Sequence, residues 1–179
     1  MPWFRLLFLF FGFILSSAGN AETAVALYYG KTIPLAEFRT FDIVVVDPDH
    51  GHDPIGYRRP YSQLYAYAAV AEAHPGRPYF PKIPEAWKFA RNADWGSIVI
   101  DQSPAEWPAF FAEQVIAPLW AKGYRGFFLD TLDSYRLAAK FDEKAQQQGL
   151  IRVIETLHQR FPGIKLILNR GFEIVPSVR

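Results

Sequence analysis

Short apolar runs that stop abruptly at a polar side chain recur along this chain: "FDIVVVD" at 41–47, "LYAYAAVAE" at 64–72, "SIVID" at 97–101, "GFFLD" at 126–130 and "IKLILN" at 164–169. A further run, "AVALYYG" at 24–30, closes on glycine. Uninterrupted runs of this length, rich in β-branched and aromatic residues, read as strands buried on both faces. "LYAYAAVAEA" is ambiguous by periodicity, and its two interleaved tyrosines favour a strand. Helical patterns separate the later runs. Ser103-Pro104-Ala105-Glu106 reads as a capping box opening a helix over "AEWPAFFAEQVIAPLWAKG", stopped by Gly123. Leu150, Val153, Ile154, Leu157 and Phe161 keep helical spacing in "FDEKAQQQGLIRVIETLHQRF". "KTIPLAEFRT" has room for one or two turns, and "HPGRPYFPKIPEAW" is too proline-rich for regular structure, which predicts a long functional loop. Buried strand alternating with amphipathic helix predicts an α/β fold with a parallel sheet and helices outside it.

In a parallel sheet or barrel the carboxyl ends of the strands share one face, so Asp47, Glu72, Asp101, Asp130 and Asn169 are expected around one cleft. Taken singly, an Asp after a strand is commonly a cap or turn residue, and Asp101 suits that role because it stands two residues before Ser103. Taken together, the polar ends predict a site, since unpaired buried carboxylates are costly. Two carboxylates about 5 to 10 Å apart are what cleavage of a glycosidic bond requires, and strands about 4.8 Å apart can supply that spacing. Asp130 is the expected catalytic acid, with Asp133 capping the helix that follows. Asp47, Glu72, Asp101, Tyr135 and Asn169 are the expected ligands of sugar hydroxyl or amino groups. This chemistry calls for no cofactor.

Two other functions fit parts of the sequence. "DPDHGHD" places Asp47, Asp49, His50, His52 and Asp53 together, a set able to hold a metal in a metal-dependent polysaccharide deacetylase. A polar turn with a capping Asp explains the same residues without a metal. The aromatic content of 17%, with nine tyrosines and five tryptophans, also suits a carbohydrate-binding module that does no chemistry, using Tyr28, Tyr65, Tyr67 and Tyr135 as stacking surfaces.

Arg5 followed by the apolar run 6–15 and the small residues of "SSAGNA" has the form of a secretory signal ending at Ala21, shorter than the ~20 apolar residues of a membrane span. The expected layout is a signal peptide at 1–21 and one domain at 22–179, periplasmic or secreted, without stable membrane insertion. Loss of 1–21 removes one base and leaves 18 Lys plus Arg against 18 Asp plus Glu. That balance gives no electrostatic footprint for nucleic acid. The absence of cysteine excludes disulfides and thiolate metal sites.

"YRGFFLDTLDSY", "AEAHPGRPYFPKIPEAWKFARNADWGSIVIDQSPAEWPAFF" and "LILNRGFEI" together resemble the glycoside hydrolase domains that process the Pel exopolysaccharide and, more distantly, the endo-α-1,4-polygalactosaminidase family. The resemblance runs over everything after the signal-like segment. It implies a (β/α)8 TIM-barrel fold, a partly deacetylated galactosamine-rich polysaccharide as substrate, and Asp130 as one catalytic carboxylate. In such proteins the second carboxylate is a glutamate on the strand after "NRGFE", a position past Arg179. Glu173 is the late acid that could stand in for it. A barrel of this class takes ~250 residues, and 179 minus 21 leaves 158. The expectation is therefore an incomplete barrel of about five β/α units, inactive alone, completed by a C-terminal continuation or by the exopolysaccharide secretion machinery.

Overall fold

The computed structural model describes residues 23–32, 37–57, 62–138 and 142–178, so the signal-like segment lies outside the described residues. Five parallel strands form the main sheet: β1 (Val25–Tyr28), β2 (Ile43–Val46), β3 (Gln63–Ala69), β7 (Gly126–Asp130) and β8 (Lys165–Leu168). They lie side by side in the order in which the chain makes them. A sheet that never reverses its strand order is wound in one direction, as in a barrel, and has no switch point of the doubly wound kind. Among the described residues it is open, with β1 and β8 as its edges. The α/β, barrel-type expectation holds, as does the count of about five units.

Alternation along the strands separates two faces. Val44, Val46, Leu64, Ala66, Ala68, Phe127 and Leu129 meet the helices and are buried. After the one-turn α1 (Pro54–Tyr57), the helices covering them are one that runs through α2 (Trp107–Phe110), a π-helical turn (Phe111–Ile116) and α3 (Ala117–Ala121), and then α4 (Glu143–Arg160). Pro118 has no amide hydrogen to give to the preceding turn, which is where the widened π turn ends. The stripe Leu150, Val153, Ile154, Leu157 and Phe161 is buried as its spacing predicts. Each of these larger side chains contributes about 1.5–3 kcal/mol by leaving water. Asp142 caps α4 by accepting from Lys144 N and Ala145 N. On the opposite face, Tyr65 lies over Gly126, where an added Cβ would come within 2.5 Å of the ring. A side chain there would displace the tyrosine.

Between β3 and the α2 helix the chain makes a second sheet of three antiparallel strands, in the order β4 (Glu72–Ala73), β6 (Ser97–Ile100), β5 (Lys88–Asn92). This corrects one expectation: "SIVID" is a strand, but it pairs with "KFARN" and not within the parallel sheet. The helix after it also starts later than the capping box predicts. Glu106, not Ser103, occupies the N-cap, and Trp107 N donates to the Pro104 carbonyl. Asp101 Oδ1 accepts from Ser103 N at 2.8 Å, so the segment closes as an Asx turn before the helix begins.

Candidate active site

The carboxyl ends of β1, β2, β7 and β8 bring Tyr29, Asp47, Asp130 and Asn169 to one end of the parallel sheet, beside Tyr67 of β3. Asp130 is the last residue of β7 and is half-buried. Tyr67 donates its hydroxyl to Asp130 Oδ2 at 2.9 Å, and Asn169 Nδ2 donates to Oδ1 at 2.8 Å. Each carboxylate oxygen thus takes one hydrogen bond from a neighbouring strand. Register explains the reach: Tyr67 stands opposite Phe128, and Asp130 is two residues further along the same face.

Behind Tyr67, Arg77 projects from the proline-rich loop. Its Nη1 lies 2.7 Å from Asp47 Oδ1 and 2.8 Å from Asp49 Oδ2, and its guanidinium sits 5.8 Å from the centre of the Tyr67 ring. Tyr29 meets that ring edge-on at 5.4 Å. Burial raises the Tyr67 phenol far above its usual range, and the Asp130 charge and hydrogen bond add to the rise. Tyr29 is raised in the same sense by burial, then by Asp130 and Asp47. Burial pushes Asp47 upward, but the Arg77 hydrogen bond, the Asp49 amide and the Arg77 charge outweigh it and hold the carboxyl below its usual value. Tyr67 therefore remains a donor, and Asp47 remains an anion tied to Arg77.

The other expected site residues stand elsewhere. Glu72 is 5% exposed and accepts from Asn92, Ser97 and Ser134. Asp101 accepts from Ser103 N and, at 2.6 Å, from Gln146 Nε2. Glu72 opens β4 and Asp101 follows β6, both in the antiparallel sheet, so the shared-face argument does not extend to them. Tyr135 is buried and donates to Glu173 Oε1, which also pairs with Arg136 at 2.9 Å. The Asp133 side chain caps nothing; it lies 3.5 Å from Arg170 Nη1. Of the four tyrosines read as stacking surfaces, Tyr65 and Tyr135 are buried, Tyr65 against Gly126 of β7. In the "DPDHGHD" loop the His50 and His52 rings both donate to the Gly30 carbonyl, at 3.0 and 3.3 Å. Among the described residues no group of three or more His, Cys, Asp or Glu side chains is arranged to hold a metal. Tyr29 and Arg77 are the residues the sequence reading missed. Tyr29 follows its strand as Asp47 follows β2, a signal visible once tyrosine is counted among polar strand ends.

Residues 15–179 match the model of glycoside-hydrolase family GH114. The chain belongs to family GH114. Among solved structures this GH114 chain is similar to the glycoside hydrolase domain of PelA from Pseudomonas aeruginosa, at 35% identity and a TM-score of 0.75. That match covers 87% of this chain and 63% of the PelA domain, so the chain spans less than two thirds of the solved domain's length. Ega3 of Aspergillus fumigatus, solved in complex with galactosamine, shares the fold at 17% identity, with a TM-score of 0.68 over 87% of this chain and 61% of that one. The α-galactosidase AgaB of Geobacillus stearothermophilus does so at 14% identity and a TM-score of 0.56, over 83% and 28%. No curated protein sequence matches this GH114 chain.

Proposed function

We propose that this GH114 chain acts in the hydrolysis of glycosidic bonds in a galactosamine-rich, partly deacetylated exopolysaccharide of the Pel type, with Asp130 as one member of a carboxylate pair. The observation that carries this is the fixing of both Asp130 oxygens by Tyr67 and Asn169 at the end of β7. Such bracing holds a carboxylate in one orientation, as attack on the anomeric carbon or activation of water demands. Its partner protonates the departing oxygen.

The partner comes from outside the described residues. Asp47 and Asp49 are engaged by Arg77, Glu173 by Tyr135 and Arg136, and Glu72 by three internal donors. A C-terminal continuation, or a protein of the exopolysaccharide secretion machinery, supplies it together with the strands that close the barrel. Around Asp130, the carboxylates Asp47, Asp49 and Asp130 meet one guanidinium, that of Arg77, so these four side chains together carry net negative charge. A deacetylated amino sugar is cationic near neutral pH and is drawn to such a face. The galactosamine in the Ega3 complex is in keeping with that class of sugar. The apolar run 6–15 after Arg5 supports action in the periplasm or outside the cell. Among the described residues no helix is long and apolar enough to cross a membrane.

The test is a digest of partly deacetylated and fully acetylated α-1,4-linked galactosaminoglycan by this chain and by one continued through its full hydrolase domain. New reducing ends are expected from the longer chain and the partly deacetylated polymer. Tight binding of the polymer with no new ends from either chain would replace hydrolysis with a binding function.

A further inference from the structure

The turn that follows Asp130 is conformationally expensive. Thr131 follows it at φ 63°, a left-handed conformation that costs a β-branched residue about 1 kcal/mol or more. Such a turn persists when its surroundings over-determine it. The segment joining β3 to β4 does this with successive contacts. Val70 N donates to the Asp130 carbonyl at 2.9 Å, and Ala71 N to Thr131 Oγ1 at 3.1 Å. The third contact is through a side chain: Ser134 Oγ donates to Glu72 Oε1.

Glu72 is itself held by the antiparallel sheet. Ser97 of β6 donates to its Oε2, and Asn92 of β5 to both oxygens at 3.2 and 3.3 Å. Glu72, Ser97 and Ser134 are all buried. A carboxylate that has left water and accepts only from neutral donors is a poor choice for stability alone. What it does supply is a rigid acceptor linking three pieces of chain: the end of β3, the inserted sheet and the turn after Asp130.

We infer that Glu72 is a positioning residue for Asp130, acting through Ser134, and does not touch the sugar. Its catalytic consequence rests on the role proposed above for Asp130; its effect on the loop does not. The inserted antiparallel sheet then has a task in the fold: through Asn92 and the pairing of β4 with β6 it anchors the acceptor that fixes the turn, and it keeps that hold without the Ser97 hydroxyl.

The two serines separate this role from plain structure. Ser97→Ala and Ser134→Ala each take one hydroxyl from the same buried carboxylate, but only the second cuts the tie to the turn. Amide hydrogen exchange on this chain, with the amides of α4 as internal reference, is expected to rise at least about tenfold over residues 131–136 in Ser134→Ala and to stay as in the wild type there in Ser97→Ala. Ser134→Thr, which keeps the hydroxyl, is expected to restore protection. In the chain continued through its hydrolase domain, Ser134→Ala is expected to lower kcat about tenfold with KM within about twofold, while Ser97→Ala leaves both. Equal loosening of residues 131–136 by both alanine variants would overturn the brace. A loosened loop with unchanged kcat would overturn its link to catalysis, as would a change confined to KM, which would return Glu72 to the sugar. Should no version of the protein hydrolyse the polymer, the exchange comparison still decides the brace, and the failure falls on the proposed function.

Discussion

Tyr67 and Asp130, on adjacent parallel strands, are joined by a 2.9 Å hydrogen bond whose donor has lost its acidity to burial and to the carboxylate it serves. Tyr67→Phe removes that donor and leaves Asp130 with Asn169 alone. A hydrogen bond to a charged group is worth about 1.5–3 kcal/mol. Turnover by a competent hydrolase domain carrying Tyr67→Phe is therefore expected to fall roughly 10- to 100-fold, with the far-ultraviolet circular dichroism unchanged. Loss of turnover below threefold would show that Asp130 does not depend on the phenol.

The tyrosines predict alkaline behaviour. Tyr67 and Tyr124 are raised mainly by burial, and burial lifts Tyr79 to about 12. A folded-state value above the unfolded value of about 10 contributes stability that is fully present below pH 10 and lost as pH rises beyond it. Absorbance of tyrosinate is expected to show a late group of tyrosines that ionises together with unfolding. A single titration near pH 10 in the folded protein would contradict this.

Arg77→Met unties Asp47 and Asp49. Asp47 is depressed in the folded protein, so its contribution is present above the unfolded value of about 3.9 and lost as pH falls through the folded one. The variant is expected to lose about 1–3 kcal/mol at pH 7, since the pair is neither fully exposed nor fully buried. Urea titrations should find that loss shrinking below about pH 4. A loss that is the same at pH 3 and pH 7 would exclude the ion pair as its source.

Much of this fold could be read from periodicity, because buried parallel strands are continuous apolar runs and α4 keeps a regular stripe. Asp47, Asp130 and Asn169 were legible for the same reason: each ends a strand of the main sheet. β5 was not. "KFARN" alternates half-buried and exposed residues, lacks an apolar run, and becomes a strand only by pairing with β6. The antiparallel sheet, in which β4 also pairs with β6, takes Glu72 and Asp101 off the common face. Arg77 lay hidden because its partners are 30 and 28 residues away in a loop without periodicity.

Gly149 illustrates a constraint invisible to helix propensity. It lies inside α4, where alanine would ordinarily be better by about 1 kcal/mol. An added Cβ, however, would come within 2.0 Å of the Gln102 carbonyl oxygen. Gly149→Ala is expected to destabilise by about 1–3 kcal/mol and lower Tm by several degrees in calorimetry. A rise in Tm would mean that the contact between α4 and the 101–103 turn is looser than described.

The proposed chemistry of Asp130 is read most simply from the rate at which new reducing ends appear in partly deacetylated α-1,4-linked galactosaminoglycan. The comparison is between the chain continued through its hydrolase domain and the same chain with Asp130→Asn, which keeps the size of the side chain and the fold. A loss of about a thousandfold or more is expected. Turnover by Asp130→Asn within a few-fold of the wild type would contradict it.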